Sequence, residues 1–384
     1  MNPKASRPHA DSVAVCPVGL EQVCGSELVA LGYKIGSPTA GLVPFRGSTR
    51  AVYESNLWLR TATRIIVRLA RFRATDFDHL ERRMAEVDLT PYLGAGVAPR
   101  FRVTTRKSAL FHSDAVSERL HKVVGAPKAS DTDPEQLFII RVDHDTVTVS
   151  IDTSGEPLHK RSWRTQTVEA SLRPTLAAGA VLLSSWDRST PVVDPFAGAG
   201  TMVIEAGLIA MDRPPSEGRD YAFHRWPSFE GGTWGSVTGA AQTRIEAAPA
   251  TGLLEAFDRN PAAVAVITAN AKRAGVTLTA EARPVGQLTG WAGPGLVISN
   301  PPYGKRSATG AKGSSALFRR FGEVVRDRRP QSALTVVAPR GTRDIDARLK
   351  TVAKVNNGGI DVQIRCAVPS GDLPPASTVS AAKL

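Results

Sequence analysis

The feature that most constrains the fold is an alternation of short apolar strands with helices in the second half of the chain. Strands are predicted over Pro191–Asp194, Leu253–Asp258 and Leu296–Ser299, and helices over Thr201–Met211 and Pro261–Ala274. Strands that alternate with helices form a parallel sheet with helices on both faces. The sequence therefore predicts a doubly wound α/β domain in this half.

The chain as a whole is too long for one core, since it has 384 residues, and we expect two or three domains. Its first 155 residues mix short predicted strands with helices, which is typical of an α+β arrangement. The segment Arg213–Ser236 is rich in Pro, Gly and Trp and is predicted to be a long irregular excursion.

The first of the apolar strands runs into the sequence VVDPFAGAGT, in which Asp194 ends the strand and glycines precede a helix. Ligands bind at the carboxyl edge of such sheets, and Gly198 and Gly200 allow a ligand to approach the backbone closely. The third glycine of a dinucleotide motif is replaced by Val203, which argues against a pyrophosphate site. An acidic strand end instead suits a ligand with an ammonium, a sulfonium and a ribose, which are the groups of S-adenosylmethionine.

The next strand ends on Asp258, one strand–helix unit after the first motif. An acidic residue at this place in such a fold commonly binds the hydroxyls of a ribose. Asn260 and Pro261 follow, and these residue types favour the N-cap and the first position of a helix. We therefore predict that Asp258 contacts the ribose of the same ligand.

The third strand leads into SNPPYGKR, where two prolines follow an asparagine. The amine of a base is a poor nucleophile because its lone pair is delocalised into the ring. The Asn300 side-chain oxygen and the Pro301 carbonyl could accept its hydrogens, and the prolines would hold these acceptors in place. Tyr303 would offer an aromatic face on which an extruded base stacks. A plain proline-rich turn is the alternative for this motif taken alone.

The formal net charge of +12 favours a nucleic-acid partner, although a merely basic solvated surface is the alternative. Basic residues alternate with apolar ones on the predicted strand Ile65–Phe72, and this spacing places them on one face. The residues that we predict to bind RNA are Arg64, Arg68, Arg71, Arg73, Lys107, Lys305 and Arg306.

The three cysteines, Cys16, Cys24 and Cys366, follow no metal-binding or disulfide pattern, and the histidines are scattered. We therefore expect no metal. No apolar run approaches the ~20 residues that span a bilayer, and the N-terminus has no secretory signal, so we expect a cytoplasmic protein without membrane contact.

Together these motifs resemble the THUMP-domain RNA guanine-N2 methyltransferases, and within them the stand-alone module of the type L enzymes of bacterial large-subunit ribosomal RNA. The resemblance covers most of the chain. In the first half it rests on CPVGLEQVCGSEL, RFRATDFDHL and VSIDTSGEPLHKRSWR, and in the second on VVDPFAGAGTMVIEAGLIA, SNPPYGKR and NNGGIDVQ.

Residues 1–11 are predicted to be a flexible tail. The resemblance implies a ferredoxin-like segment over 12–60, an RNA-binding THUMP domain over 61–155 and a Rossmann-like, S-adenosylmethionine-dependent catalytic domain over 156–384. It implies methyl transfer to an exocyclic base amine of RNA. The implied catalytic residues are Asn300, Pro301, Pro302 and Tyr303. The implied cofactor residues are Asp194, Pro195, Phe196, Gly198, Gly200, Thr201, Asp258, Asn260 and Asn300.

Members of the family often carry an acidic residue near the cofactor adenine, but no aspartate stands in Glu281–Leu288, which points to the backbone or Gln287 as the adenine contact. The guanine N2 of large-subunit ribosomal RNA is the leading substrate. The alternatives are the guanine N2 of transfer RNA, the N6 of adenine, and a non-catalytic RNA-binding factor of ribosome assembly.

Overall fold

The described part of the chain forms two β-sheets, one in each half, which are joined by a short linker. The computed structural model describes residues 10–125, 134–166, 172–215, 217–249, 252–291, 293–303, 310–339 and 345–367. Within these residues the predicted order holds, since an α+β part comes first and an α/β part follows. The predicted fold class is confirmed.

The first sheet has six strands in the order β2-β1-β3-β6-β5-β4. Strand β3 pairs with both β1 and β6, so one continuous sheet crosses the predicted boundary between residues 60 and 61. Its elements are β1 (Ala10–Val15), α1 (Glu21–Ala30), β2 (Leu42–Gly47), α2 (Thr49–Trp58), β3 (Arg64–Arg73), α3 (Phe77–Ala85), β4 (Ala98–Arg106), α4 (Ser113–Val124), β5 (Glu135–Asp143) and β6 (Thr146–Asp152).

A β-bulge in β3 decides which way its arginines face. Arg68 lies opposite Ser150 of β6 and Arg71 lies opposite Thr148, so Leu69 is the extra residue. Because Ser150 and Thr148 are two residues apart, they share a face, and Arg68 and Arg71 therefore share it as well. Without the bulge, the odd spacing of these two arginines would place them on opposite faces.

Helices cover one face of this sheet, whereas the other, open face is exposed at its arginines and buried at Val13, Ile66 and Asp152. Helices α3 and α4 pack Leu80, Met84, Val116 and Leu120 into the apolar core of the covered face. The open face carries exposed arginines on three strands. They are Arg71 and Arg73 on β3, Arg141 on β5, and Arg100, Arg102 and Arg106 on β4.

The second sheet has seven strands in the order β12-β13-β11-β10-β7-β8-β9, and β9, β8, β7, β10 and β11 run parallel. Strand order reverses between β7 and β10, which is where such sheets bind ligands. Its elements are α5 (Pro174–Leu183), β7 (Val192–Asp194), α6 (Thr201–Ala210), α7 (Gly231–Ala247), β8 (Leu254–Asp258), α8 (Pro261–Ala274), β9 (Thr279–Ala282), β10 (Gly295–Ser299), α9 (Gly310–Arg328), β11 (Ser332–Pro339), β12 (Lys350–Asn357) and β13 (Ile360–Ala367). Single-turn 3-10 helices lie at Ala222–Arg225 and Val285–Gln287.

The segment between α6 and β8 is more regular than the sequence predicts, because α7 begins inside the expected irregular excursion and has 17 residues. Its packing explains the difference. Phe223 stacks on Tyr53 of α2 with ring centroids 4.3 Å apart, and Trp234 of α7 meets Tyr53 edge-on at 5.9 Å. Tertiary packing of one face thus stabilises a helix whose glycines disfavour it in isolation. The excursion is bound to the core of the first sheet.

Candidate active site

Three polar residues stand where adjacent strands of the second sheet end. Asp194 ends β7, Asp258 ends β8, and Asn300 directly follows β10. Because β7 lies between β8 and β10 and all three are parallel, these residues meet at one carboxyl edge. The sequence-predicted cofactor and amine-binding motifs are therefore neighbours in space.

Asp194 is buried at 2% exposure, and no ion pair joins it to a basic residue of the described ranges. Its Oδ1 atom accepts a hydrogen bond from Ser299 Oγ at 2.6 Å and another from the backbone N–H of Phe196 at 3.0 Å. Burial raises the pKa of Asp194 to about 7, and the nearby Asp258 carboxylate adds to this, while the two hydrogen bonds oppose it. The site thus holds a carboxyl group that lacks a cation.

The glycine-rich turn is fixed by Asp258, whose Oδ2 atom accepts a hydrogen bond from the backbone N–H of Gly198 at 3.0 Å. Gly198 has a φ of 56° and Gly200 has a φ of 79°, which are values that favour glycine. A Cβ atom on Gly200 would lie 3.1 Å from Ile267 Cγ2. The turn therefore needs glycine both for its backbone angles and for its contact with α8, and buried Thr201 then begins α6.

Replacement of Gly200 by alanine is expected to lower the free energy of unfolding by about 1–2 kcal/mol, because alanine is disfavoured in the left-handed region. Urea denaturation measures this change. Gly232→Ala in α7 is the matched control, since open space surrounds that position and alanine favours a helix. An equal loss in both variants would contradict the role of the turn.

Asn260 caps α8, since its side-chain oxygen accepts a hydrogen bond from the backbone N–H of Ala262 at 3.0 Å. Asp258 Oδ1 in turn accepts one from the backbone N–H of Asn260 at 2.9 Å. Each carboxylate oxygen has two lone pairs, so Asp258 can still accept a hydrogen bond from a hydroxyl. The side chain of Asn260 is engaged within the protein.

The Oδ1 atom of Asn300 is buried and has no hydrogen-bond partner among the described residues. Buried oxygens are normally satisfied, so an orphaned acceptor indicates a missing donor. Pro301 is buried and Pro302 is exposed. The half-buried Tyr303 packs against the apolar clusters on both sides of the sheet, which leaves part of its ring accessible.

Two residues of the site were missed by the sequence analysis. Ser299 donates to Asp194, and Asn270 of α8 donates from Nδ2 to the carbonyls of Ala199 and Gln166, both at 3.1 Å. Their signal was present, because each is a polar residue among the apolar ones of a buried face. Asn270 is fully buried, and its hydrogen bond to the carbonyl of Ala199 fixes the glycine-rich turn against α8.

The residues near the predicted adenine site make both backbone and side-chain contacts. The backbone N–H of Arg283 donates to the carbonyl of Asp258 at 2.8 Å, and its guanidinium lies 4.5 Å from the centre of the Phe257 ring. Gln287 is exposed in a 3-10 turn. Phe196, beside Asp194, meets Phe321 edge-on at 5.3 Å. The acidic side chain of this stretch, Glu281, pairs with Arg283.

The residues that we predict to bind RNA have different surroundings. Arg64 is mostly buried, since it pairs with Asp152 and donates to the carbonyl of Gly155 at 2.6 Å. Arg68 is half-exposed, with Asp11 at 3.4 Å. Arg71, Arg73 and Lys107 are exposed, whereas Lys305 and Arg306 lie outside the described residues.

Two absences bear on the site. In the described ranges, no group of three or more His, Cys, Asp or Glu residues is arranged to hold a metal ion. In the same residues, no helix has the length and apolar character needed to cross a membrane.

Comparison with known proteins links both halves of the chain to one group. A model described as the RMKL-like methyltransferase domain matches residues 161–368, and a model described as the RlmL ferredoxin-like domain matches residues 11–66. The ribosomal RNA large subunit methyltransferase K/L of Marinomonas sp. (strain MWYL1) is 30% identical over 369 residues, which cover 90% of this chain and 51% of that protein. The chain therefore spans about half the length of the curated relatives that it matches.

Solved structures resemble nearly the whole chain. SMU.472, which was solved in complex with SAH, is 27% identical with a TM-score of 0.84, covering 96% of this chain and 100% of that one. A predicted N6-adenine-specific DNA methylase from Listeria monocytogenes str. 4b F2365 is 27% identical with a TM-score of 0.82, covering 94% and 97%. Because the methyltransferase model matches more than half of its residues, the chain belongs to the RMKL-like methyltransferase family.

Proposed function

We propose that this protein transfers a methyl group from S-adenosylmethionine to an exocyclic amine of an RNA base, with the guanine N2 of large-subunit ribosomal RNA as the substrate. The observation that carries the proposal is the orphaned Asn300 oxygen beside the edge formed by Asp194 and Asp258. It combines an unfilled acceptor for an amine with a site suited to a cationic cofactor. Acting on ribosomal RNA, the protein would work in the cytoplasm.

The residues present fit this cofactor. Asp194 offers a buried carboxyl group without a cation, Asp258 has lone pairs left for ribose hydroxyls, and the turn at Gly198 and Gly200 allows close approach. When bound, the cofactor supplies a methyl group on a positively charged sulfur. Asp194 would stabilise this charge, and Val203 in place of the third glycine of a dinucleotide motif fits a ligand without phosphate.

The acceptors at the end of β10 would activate the amine. Asn300 Oδ1 and the Pro301 carbonyl accept its two hydrogens, which draws the lone pair out of conjugation and directs it at the methyl group. The two prolines limit the motion of these acceptors. As the new N–C bond formed, the bond between the methyl group and sulfur would break and leave S-adenosylhomocysteine as a neutral thioether. The nitrogen would become acidic, and its surplus proton would pass to water. Tyr303 stacks on the extruded base with the accessible part of its ring.

The open arginine face of the first sheet would bind the RNA backbone. In the described residues, no ion pair is formed by Arg71, Arg102 or Arg106, so these charges are available to phosphates. Phosphate binding of this kind positions an RNA without reading its sequence. The face therefore supports RNA as the substrate and leaves the choice of nucleotide to the catalytic site.

Changing Arg71 and Arg102 together to glutamine is expected to reduce the slope of log K against log salt by about 1.4–1.8, since each lost phosphate contact removes about 0.7–0.9. Filter binding at several salt concentrations measures the slope. Arg82→Gln with Lys122→Gln is the control, because both residues are exposed on the helices of the covered face. Equal slopes in the two variants would indicate that the RNA binds to a different surface of the protein.

The function itself is tested by incubating the protein with labelled S-adenosylmethionine and purified ribosomal or transfer RNA, followed by nuclease digestion and mass spectrometry. N2-methylguanosine in large-subunit RNA is the expected product. N2-methylguanosine in transfer RNA alone would change the substrate. N6-methyladenosine would change the base, since the acceptors at Asn300 suit either amine. Cofactor binding without transfer to any RNA would contradict the proposal.

A further inference from the structure

A buried ionic network connects the two halves of the chain. Arg161, in the linker, donates from Nε to Glu205 Oε1 at 2.9 Å, and both side chains are 0% exposed. Its Nη2 atom donates to the backbone carbonyl of Arg60 at 2.7 Å and its Nη1 atom to the carbonyl of Leu158 at 2.8 Å. One guanidinium thus joins the linker, the loop after α2 and the middle of α6.

Arg60 extends this network to the end of α6. Its Nη2 atom donates to the carbonyl of Leu208 at 3.2 Å and to that of Arg213 at 2.7 Å. A cation is favoured at this end of a helix, where carbonyls lack partners. On the other side, the Glu27 carboxylate of α1 accepts hydrogen bonds from the backbone N–H groups of Arg60 at 2.7 Å and Thr61 at 3.1 Å. The loop is therefore attached to both halves.

Helix α6 is the element that starts at the cofactor turn, because Gly200 is its N-cap and Thr201 its first residue. Its beginning is also attached to the linker. Asn270 donates to the carbonyls of both Ala199, in the turn, and Gln166, at the end of the described linker. The end of α6 is thus bonded to Arg60 of the first half, and its beginning is connected through Asn270 to the linker.

Stability alone is a poor explanation for this network. Glu205 Oε2 and Arg60 Nη1 are buried and have no hydrogen-bond partner among the described residues. Burying charged groups that are only partly satisfied costs free energy, and apolar residues of similar size often stabilise a fold as well or better. Directional hydrogen bonds to several backbone carbonyls instead fix the orientation of the elements that they join.

We infer that Arg60 and Arg161 are positioning residues that fix α6, and with it the cofactor turn, relative to the RNA-binding face of the first sheet. The inference rests on the proposed function for its consequence in catalysis. A base that is held by RNA contacts on one sheet must reach a methyl group held at the edge of the other. The geometry of the junction then determines whether the two meet.

The test replaces the ion pair with apolar residues of similar size, Arg161→Met with Glu205→Leu. This removes the bonds from Arg161 to Glu205, Leu158 and Arg60 and takes out one positive and one negative buried charge together, while the Glu27 carboxylate remains beside Arg60. The matched control is Arg329→Met with Glu255→Leu, a second mostly buried pair with a separation of 3.1 Å that lies within the methyltransferase half. Urea denaturation tests whether both double variants fold.

Two measurements then separate positioning from mere folding. In single turnover with saturating RNA and cofactor, the Arg161/Glu205 variant is expected to transfer methyl about 10-fold more slowly with unchanged cofactor affinity, because misplacement slows reaction rather than binding. Electron paramagnetic resonance between labels at Glu118→Cys and Thr268→Cys, in a Cys366→Ala background, is expected to show a broader distance distribution. The control variant should match the unmodified protein in both.

The outcomes are distinguishable from failure of the proposed function. If the unmodified protein methylates no RNA, the proposed function fails, but the distance distribution still reports on the junction. A folded Arg161/Glu205 variant with an unbroadened distribution would overturn the positioning role whatever its activity. A broadened distribution with an unchanged rate would overturn its consequence for catalysis.

Discussion

Asn300→Ala is expected to lower the rate of methyl transfer by about 100-fold or more, which is the usual cost of removing one preorganised polar group from a reaction centre. The affinity for RNA should remain nearly unchanged. The reason lies in the structure, because Asn300 Oδ1 is buried and bonded to nothing else in the described part of the chain. Alanine therefore removes an acceptor from the reacting amine without breaking an internal bond. Single-turnover kinetics with saturating substrates measures the loss.

Asn300→Asp provides the matched control. Aspartate has almost the same shape and keeps an acceptor oxygen in the same place, so it should retain more activity than alanine. If the Asn300→Ala and Asn300→Asp variants lost activity equally, the N–H₂ group of the Asn300 amide would be the group that matters, and not its oxygen. Activity of Asn300→Ala equal to that of the unmodified protein would refute the acceptor role.

The arrangement of the site could be predicted from the sequence because it depends on residues that are close together in the chain. Asp194, Asp258 and Asn300 each follow a short apolar run, and parallel strands end at one edge. Asn260 and Pro261 marked the start of α8 correctly, since capping depends on neighbours within a single turn. Such signals need no knowledge of the rest of the fold.

What could not be predicted depends on contacts between distant segments. The pairing of Arg64 with Asp152 joins residues on different strands, and it leaves that arginine mostly buried. The bulge at Leu69 is visible only in the register against β6, yet it places Arg71 on the same face as Arg68. Helix α7 forms because its aromatic residues pack on α2, which outweighs its glycines.

Cofactor affinity is expected to depend on the protonation of Asp194. In the free protein, burial raises the pKa of this carboxyl group to about 7, so at pH 6 it is mostly neutral. A cation beside it favours the carboxylate, and binding therefore releases a proton. Affinity should fall about 10-fold from pH 8 to pH 6, since one pKa unit corresponds to a factor of ten. Isothermal titration calorimetry in buffers of different ionisation enthalpy measures both the affinity and the released proton.

Asp194→Asn separates this effect from titration of the cofactor, whose own amine has a pKa of about 8 in similar compounds. Asparagine can still accept the hydrogen bond from Ser299 but carries no charge, so affinity at pH 8 should fall about 10- to 100-fold. The cofactor affinity of the Asp194→Asn variant should also depend less on pH, because the titration of Asp194 no longer contributes.

The same substitution should not reduce stability, and this distinguishes binding from folding. A carboxyl group whose pKa is raised on folding contributes stability that is complete below its unfolded pKa and is lost as the pH rises through about 7. At pH 8 the unmodified protein without cofactor buries a charge that asparagine lacks. Asp194→Asn should therefore be at least as stable at pH 8 while binding cofactor weakly. A variant that loses both together would show that Asp194 supports the fold instead of the cofactor.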